Sequence, residues 1–164
     1  MNLTPLLPEH WPTVEQIYQD GIDTNQATFE TKTPSWEDWD RGHLKSPRLV
    51  IFDGHQKLVG WAALSPVSSR AVYQGVAEVS IYVAIDQLGR GIGKLLLTEL
   101  IDQAEKAGIY MLQAVTFPEN KASVRLHTQL GFRMVGRREK IARQHGRWRD
   151  TVLLERRSQH HMDS

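Results

Sequence analysis

One segment constrains the fold more than any other: VAEVSIYVAIDQLGRGIGKLLLTELIDQAEKAG, residues 76–108. It opens as an apolar run that reads as a strand, interrupted by Glu78. It then places three glycines, Gly89, Gly91 and Gly93, within five positions. A helical pattern follows at once, from about Gly91 to Ala107. Ile92, Leu96, Leu100 and Ala104 recur at every fourth position, Leu95 and Ile101 broaden the stripe, and Gly108 is the expected stop. A strand that feeds a helix through so short a turn belongs to a sheet that the helix covers. The next apolar run, IYMLQAVTF, follows the helix, which suits a parallel or crossover connection.

The flanking segments extend this unit. NLTPL reads as a short strand ended by Pro8, and PEHWPTVEQIYQDG as a helix with Trp11, Val14, Ile17 and Tyr18 on one face. PSWEDWDRGHL is a second helix with Ser35 as its N-cap. Two apolar runs meet at Asp53-Gly54, a hairpin signal. PENKASVRLHTQLGF is a helix between Pro118 and Gly131, and two further strands join at His145-Gly146. The order β-α-α-β-β-β-α-β-α-β-β predicts an α/β (α+β) fold: one domain over residues 1–157, with a mixed sheet of about six to seven strands and about four flanking helices. Residues 158–164 are expected to form a mobile polar tail.

A strand, a glycine-rich turn and a helix N-terminus make an anion site. The first helical N–H groups lack intrahelical partners, the helix dipole adds positive potential, and glycine lets phosphate oxygens approach the backbone. Nucleotide patterns fit poorly. Lys94 follows Gly93, but Leu95 replaces the hydroxyl residue that a magnesium–nucleotide loop needs. Lys94 and Leu96 also fall where a dinucleotide fingerprint would place its third glycine.

Composition closes other routes. The chain has no cysteine, so disulfides, Cys-based zinc sites, thiolate nucleophiles and an acyl-thioester enzyme intermediate are excluded. No apolar run approaches the ~18–20 residues that span a bilayer, and MNLTPLLPEHWP has no signal-peptide pattern, so a cytoplasmic protein with no membrane partner is expected. The net charge is +1, but Arg133 to Arg157 holds nine Lys or Arg against three Asp or Glu. Basic residues around Trp148 suit nucleic acid, yet on alternating strands they also suit a solvated sheet face, and no nucleic-acid partner is expected.

In PENKASVRLHTQLGF, Asn120, Ser123 and His127 share one polar stripe of the predicted helix, with Ala122, Leu126 and Leu130 expected on its core side. Such a stripe is by itself an ordinary solvated face. Together, GRGIG after a strand and this helix resemble the GNAT acyltransferase superfamily, whose phosphate loop reads Arg/Gln-x-x-Gly-x-Gly/Ala. Gly91 and Gly93 take its glycine places, and Leu88 stands where arginine or glutamine is usual. AEVSIYV, SVRLH, LGF and HGRWRD resemble the branch that acetylates phosphinothricin and methionine sulfoximine, over about Val14 to Leu154.

The resemblance implies acetyl transfer from acetyl-CoA to a primary amine, by direct attack in a ternary complex and without a metal. Glu78, a carboxylate within an apolar strand, is the candidate base. His127 stands where many members carry a tyrosine acid, able to donate to the leaving thiolate or to share base duty. Tyr82 shares the strand face of Glu78 and Ser80. For acetyl-CoA the resemblance implies Ile81, Tyr82 and Val83 at the pantetheine, Leu88, Gly89, Arg90, Gly91, Ile92, Gly93 and Lys94 at the phosphates, and Asn120 and Ser123 from the following helix. For the acceptor it implies Arg70 opposite a carboxylate, with Ala71, Val72, Tyr73, Phe29, Glu30 and Glu78 as walls. Ser68 replaces the branch's usual basic residue and Val67 an aromatic, which points to a smaller or more apolar amino acid. The partners expected are a small amine and a second copy of the chain. A protein N-terminus, a lysine or another small amine is the alternative acceptor, and a silent CoA sensor the remoter alternative.

Overall fold

The computed structural model describes residues 1–161. Its elements are β1 Asn2–Pro5, α1 Trp11–Asp23, α2 Trp36–Gly42, β2 Arg48–Phe52, β3 Leu58–Pro66, β4 Val76–Val83, α3 Ile92–Lys106, β5 Met111–Thr116, α4 Lys121–Gln129, β6 Arg133–Gln144 and β7 Arg147–Arg157. The expected order holds throughout. The strands form one sheet in the order β1-β2-β3-β4-β5-β7-β6. Every neighbouring pair is antiparallel except β4 and β5, which run parallel across the α3 crossover.

The joint between β4 and β5 positions the site. Only Val76, Ala77 and Glu78 pair with β5, opposite Met111, Leu112 and Gln113. Beyond Glu78, β4 stays paired with β3 as far as Val83, while β5 stays paired with β7 as far as Thr116. The two halves of the sheet therefore part, and among the described residues the β4 backbone from Val79 to Val83 has no strand partner on its β5 side.

Local chemistry explains the element ends. Ser35 caps α2 by accepting from the Asp38 N–H at 3.1 Å. His145 and Gly146 both take positive φ, 51° and 77°, as the tight β6–β7 turn requires. The α3 stripe is buried as expected, Ile101 included, but Leu97 rather than Leu95 broadens it. Leu97 is fully buried with Ile92, Leu96, Leu100 and Ala104, while Leu95 is 44% exposed. In α4, Leu126 and Leu130 pack on the core as expected, but Ala122 is exposed and the expected stripe member His127 is buried. The expected mobile tail starts as ordered structure. Ser158 is buried, its N–H donates to the Tyr110 carbonyl at 2.9 Å, and a turn of 3-10 helix follows at Gln159–His161. The rest of that tail, 162–164, lies outside the described residues. Among the described residues no helix is long and apolar enough to cross a membrane.

Candidate active site

The parting strands open into a cleft of about 710 Å³, walled by β4, the glycine turn, the start of α3, α4 and the end of β5. Glu78 stands where the strands part. It is partly buried, and its Oε1 accepts from Gln113 Nε2 at 2.7 Å. Gln113 is its register partner on β5, so the bond crosses the last paired rung and fixes the carboxylate. Gln113 was not among the expected site residues, although it interrupts the apolar run of β5 as Glu78 interrupts that of β4.

Tyr82 lies on the same strand face and also lines the cleft. Its ring stacks on Trp61 at 5.1 Å and packs on Tyr18 at 4.8 Å. Burial, then the neighbouring Tyr18, push its phenol well above the ordinary tyrosine range, against a smaller opposing influence of the Thr28 hydroxyl. The hydroxyl therefore keeps its proton and can donate it in a hydrogen bond. A side chain at Gly21 would fall 2.6 Å from the Tyr82 ring, so glycine lets α1 lie directly on Tyr82.

His127 closes the cleft from α4 and is 5% exposed. Its Nδ1 lies 2.8 Å from the Ser123 carbonyl, which only accepts, so the proton sits on Nδ1 and Nε2 carries a lone pair. Nε2 is buried, and among the described residues it has no hydrogen-bond partner. Burial lowers the imidazole pKa from 6.5, outweighing the carbonyl contact. A neutral His127 with its proton on Nδ1 is a proton acceptor. The expected donation to a thiolate would need the imidazolium that burial disfavours.

At the far end, Gly89 and Gly91 take φ of 81° and 79°, a conformation that strains any side-chain-bearing residue, and Gly91 is the N-cap of α3. Among the described residues no side chain caps this helix, so its first N–H groups face the cleft mouth. Gly93 serves packing as well: a Cβ there would lie 3.3 Å from Leu126 of α4. Lys94 lines this end, and Arg125 of α4, absent from the expected set, adds a second cation. Leu88 also lines it, whereas Ile92 sends its side chain into the core and presents only backbone. Arg90 departs from expectation. It is exposed, donates to Gln87 Oε1 at 3.1 Å, and is not a wall residue. Asn120 and Ser123 line the cleft. The Asn120 Oδ1 caps α4 at the Ser123 N–H, at 3.1 Å.

The expected acceptor walls fare differently. Of that set only Glu78 lines the cleft. Arg70, Ala71, Val72 and Tyr73 sit exposed on the β3–β4 connection, where Arg70 stacks over the Tyr73 ring at 5.6 Å. Phe29 turns its ring onto Phe117 at 5.0 Å, and Glu30 is exposed, its charge still reaching Tyr18 and Tyr82. Thr24, Gln26, Ala27 and Thr28 form that wall instead. The backbone conformation of a loop between helices leaves no periodic signal to find them by. Among the described residues no three His, Asp or Glu side chains gather as metal ligands.

Known proteins share this arrangement. The chain is 30% identical over 151 residues to the L-methionine sulfoximine/L-methionine sulfone acetyltransferase of Pseudomonas aeruginosa, covering 88% of this chain and 87% of that one. It is 29% identical to the phosphinothricin N-acetyltransferase of Streptomyces coelicolor, over 95% of both chains. The crystal structure of a GNAT superfamily phosphinothricin acetyltransferase from Sinorhizobium meliloti in complex with AcCoA superposes with a TM-score of 0.86 at 29% identity, over 95% of this chain and 87% of that one. The profile of the Acetyltransferase (GNAT) family matches residues 11–132. The chain therefore belongs to the GNAT acetyltransferase family and is an acetyl-CoA-dependent N-acetyltransferase related to the phosphinothricin and methionine sulfoximine branch.

Proposed function

We propose that the acceptor is the primary amine of a small amino acid or close analogue, acetylated by direct attack in a ternary complex. The observation that carries this reading is the parting of β4 from β5 directly after Glu78, which sets a carboxylate beside the backbone edge left free for the acyl donor. Acetyl-CoA supplies the acetyl group: the amine nitrogen bonds to the carbonyl carbon, the C–S bond breaks, and the CoA thiolate leaves and takes up the second amine proton to become the thiol. The N–H groups at the start of α3, with Lys94 and Arg125, hold its phosphates, and the free edge of β4 from Ile81 to Val83 holds its amide-bearing arm. Asn120 and Ser123 bound it from α4. Glu78, oriented by Gln113, takes the proton from the incoming ammonium, and Nε2 of His127 is a second acceptor for that proton. Tyr82 offers its hydroxyl to the acceptor side. Arg70, whose exposed side chain stacks on the Tyr73 ring, swings to the acceptor carboxylate with Ala71, Val72 and Tyr73 beside it, while Phe29 and Glu30 support the opposite wall. The curated relatives named for methionine sulfoximine and phosphinothricin support an amino-acid-like acceptor. We also propose a cytoplasmic location and a homodimer; the exposed Val115, Met134 and Val135 on the β5–β7–β6 side of the sheet support the dimer.

The test is thiol release from acetyl-CoA with free amino acids, methionine sulfoximine, phosphinothricin, their amides and short peptides. Free amino acids or the analogues should be preferred over amides and peptides. Glu78→Gln should lower kcat by ~10²–10⁴ with acetyl-CoA affinity unchanged. Higher turnover on peptide N-termini or lysine would replace this reading with the protein-acceptor alternative.

A further inference from the structure

Arg149 belongs to the basic β6–β7 hairpin that the acetyl-transfer reading leaves unused. Its side chain is only 12% exposed. The guanidinium lies 3.7 Å from the centre of the Phe117 ring. Nη1 donates to the Asn25 carbonyl at 2.8 Å and to Gln144 Oε1 at 2.5 Å. Nη2 reaches Gln26 Oε1 at 3.2 Å and Glu119 Oε2 at 3.5 Å. Gln144, 7% exposed, donates from Nε2 to the Thr28 carbonyl at 2.8 Å. His145 Nε2 lies 2.9 Å from Asn25 Oδ1.

These contacts converge on one segment, Asn25 to Thr28, between α1 and α2. That segment has no regular structure of its own, and Asn25, with a φ of 60°, takes the left-handed conformation common for asparagine just past a helix end. Gln26, Ala27 and Thr28 are cleft wall, and Tyr82 lines the same cleft. From the other side Asn120 Nδ2 donates to the Gln26 carbonyl at 3.2 Å, while its Oδ1 caps α4.

We propose that Arg149, together with Gln144, is a positioning residue for acetyl transfer. It latches the Asn25–Thr28 loop across the acceptor side of the cleft and so fixes the wall of Gln26, Ala27 and Thr28, without touching either substrate. This rests on the acceptor entering on that side, as proposed above. A guanidinium is the group for the task, because its rigid fork serves acceptors from three segments at once, and a lysine ammonium cannot span them. Enclosure over Phe117 removes water that would otherwise compete for the same donors. When the loop leaves its place the acceptor meets a competent wall only part of the time, and its apparent affinity falls by that fraction.

The experiment uses Arg149→Lys and Gln144→Met in the full chain, with Arg143→Gln as control. Arg143 is an exposed arginine of the same hairpin that stacks on Trp148 at 5.2 Å. Hydrogen–deuterium exchange of the peptide 24–30 is read beside the KM values for acceptor and acetyl-CoA. Both latch variants should raise the acceptor KM by about 10-fold, as for a wall that is competent a tenth of the time. The acetyl-CoA KM should stay essentially unchanged, exchange of 24–30 should quicken while β6 and β7 keep their protection, and the control should match wild type. Unaltered exchange at 24–30 overturns the latch. So does exchange that rises along the whole hairpin, or a rise of both KM values together, because either marks Arg149 as a general prop. The exchange arm needs no turnover. If the wild type acetylates no free amino acid, loop-confined exchange in the variants retains the latch and sinks the acceptor assignment instead.

Discussion

The two halves of the sheet are built by different chemistry. In the β1–β4 half, β2 and β3 are buried on both faces, from Arg48 to Ile51 and from Leu58 to Leu64. Trp11, Trp39, Trp61, Tyr82 and Tyr18 touch ring to ring beneath α1 and α2. In the β5–β7 half, burial alternates along β5, and β6 is almost entirely exposed. Charges tie that half together: Arg137 to Asp150 at 2.6 Å, Arg156 to Glu105 at 2.7 Å, and Arg149 to its loop. Apolar burial is strong but without direction, whereas hydrogen-bonded charges are weak but exact in aim. The cleft lies at the seam, so one wall is rigid through packing and the other is placed by polar contacts.

The largest expected effect falls on the apolar half. Trp61 is 1% exposed and meets Tyr18, Trp39 and Tyr82. Trp61→Ala should cost ~3–5 kcal/mol in urea unfolding. A loss below ~1 kcal/mol would mean that the rings do not act as one core, and the contrast between halves would fail. A smaller effect is expected at the seam. The Gly75 carbonyl accepts from the Tyr110 and Met111 N–H groups at 2.9 and 3.1 Å, and a Cβ there would lie 2.1 Å from the Tyr110 ring. Gly75→Ala should therefore cost ~1–3 kcal/mol by forcing that ring aside. An unchanged unfolding midpoint would show that the seam tolerates more movement than either half.

Sequence reading succeeds where one physical rule acts alone. The continuous apolar runs of β2 and β3, the Ser35 cap, and the glycine turn ahead of α3 are each local patterns, and Glu78 stands out because a carboxylate is costly in such a run. The polar half is legible only as an alternation. The partners of Arg149 lie more than a hundred positions away on the α1–α2 loop, so no spacing reveals them. The same holds for the acceptor wall: Arg70 and Phe29 are reasonable candidates by motif, but whether a loop residue faces the cleft depends on contacts that local sequence does not encode. His127 marks the limit from the other direction. Its position on the α4 stripe is readable, but its burial and its Nδ1 contact decide that it accepts protons rather than donates them.

Protonation should separate the halves by the smallest effects. His43 stacks on Trp39 at 4.1 Å, with Nδ1 2.7 Å from the Trp39 carbonyl. Burial lowers its pKa below the ordinary 6.5, a backbone hydrogen bond from the ring opposes the shift, and the charge of Arg48 adds to it. Asp150 is held below the ordinary 3.8, first by the Lys140 N–H and then by Arg137. Both folded-state values are depressed, so both contributions are complete above the unfolded value and are lost as pH falls toward and through the folded one. The windows differ because the unfolded values differ, 6.5 against 3.8. Stability should therefore begin to fall below pH 6.5 through His43, with buried His127 adding to the same slope. His43→Phe keeps a ring on Trp39 and removes the titration, so its profile should be flatter from about pH 7 to about pH 5 without becoming level. Asp150→Asn should leave the slope in that window as in wild type, and should converge with wild type only in acid below 3.8. Urea midpoints of the three proteins across pH decide it. An unchanged slope in His43→Phe, or an altered one between about pH 7 and about pH 5 in Asp150→Asn, would mean that acid sensitivity does not follow the division between packed and charge-tied halves.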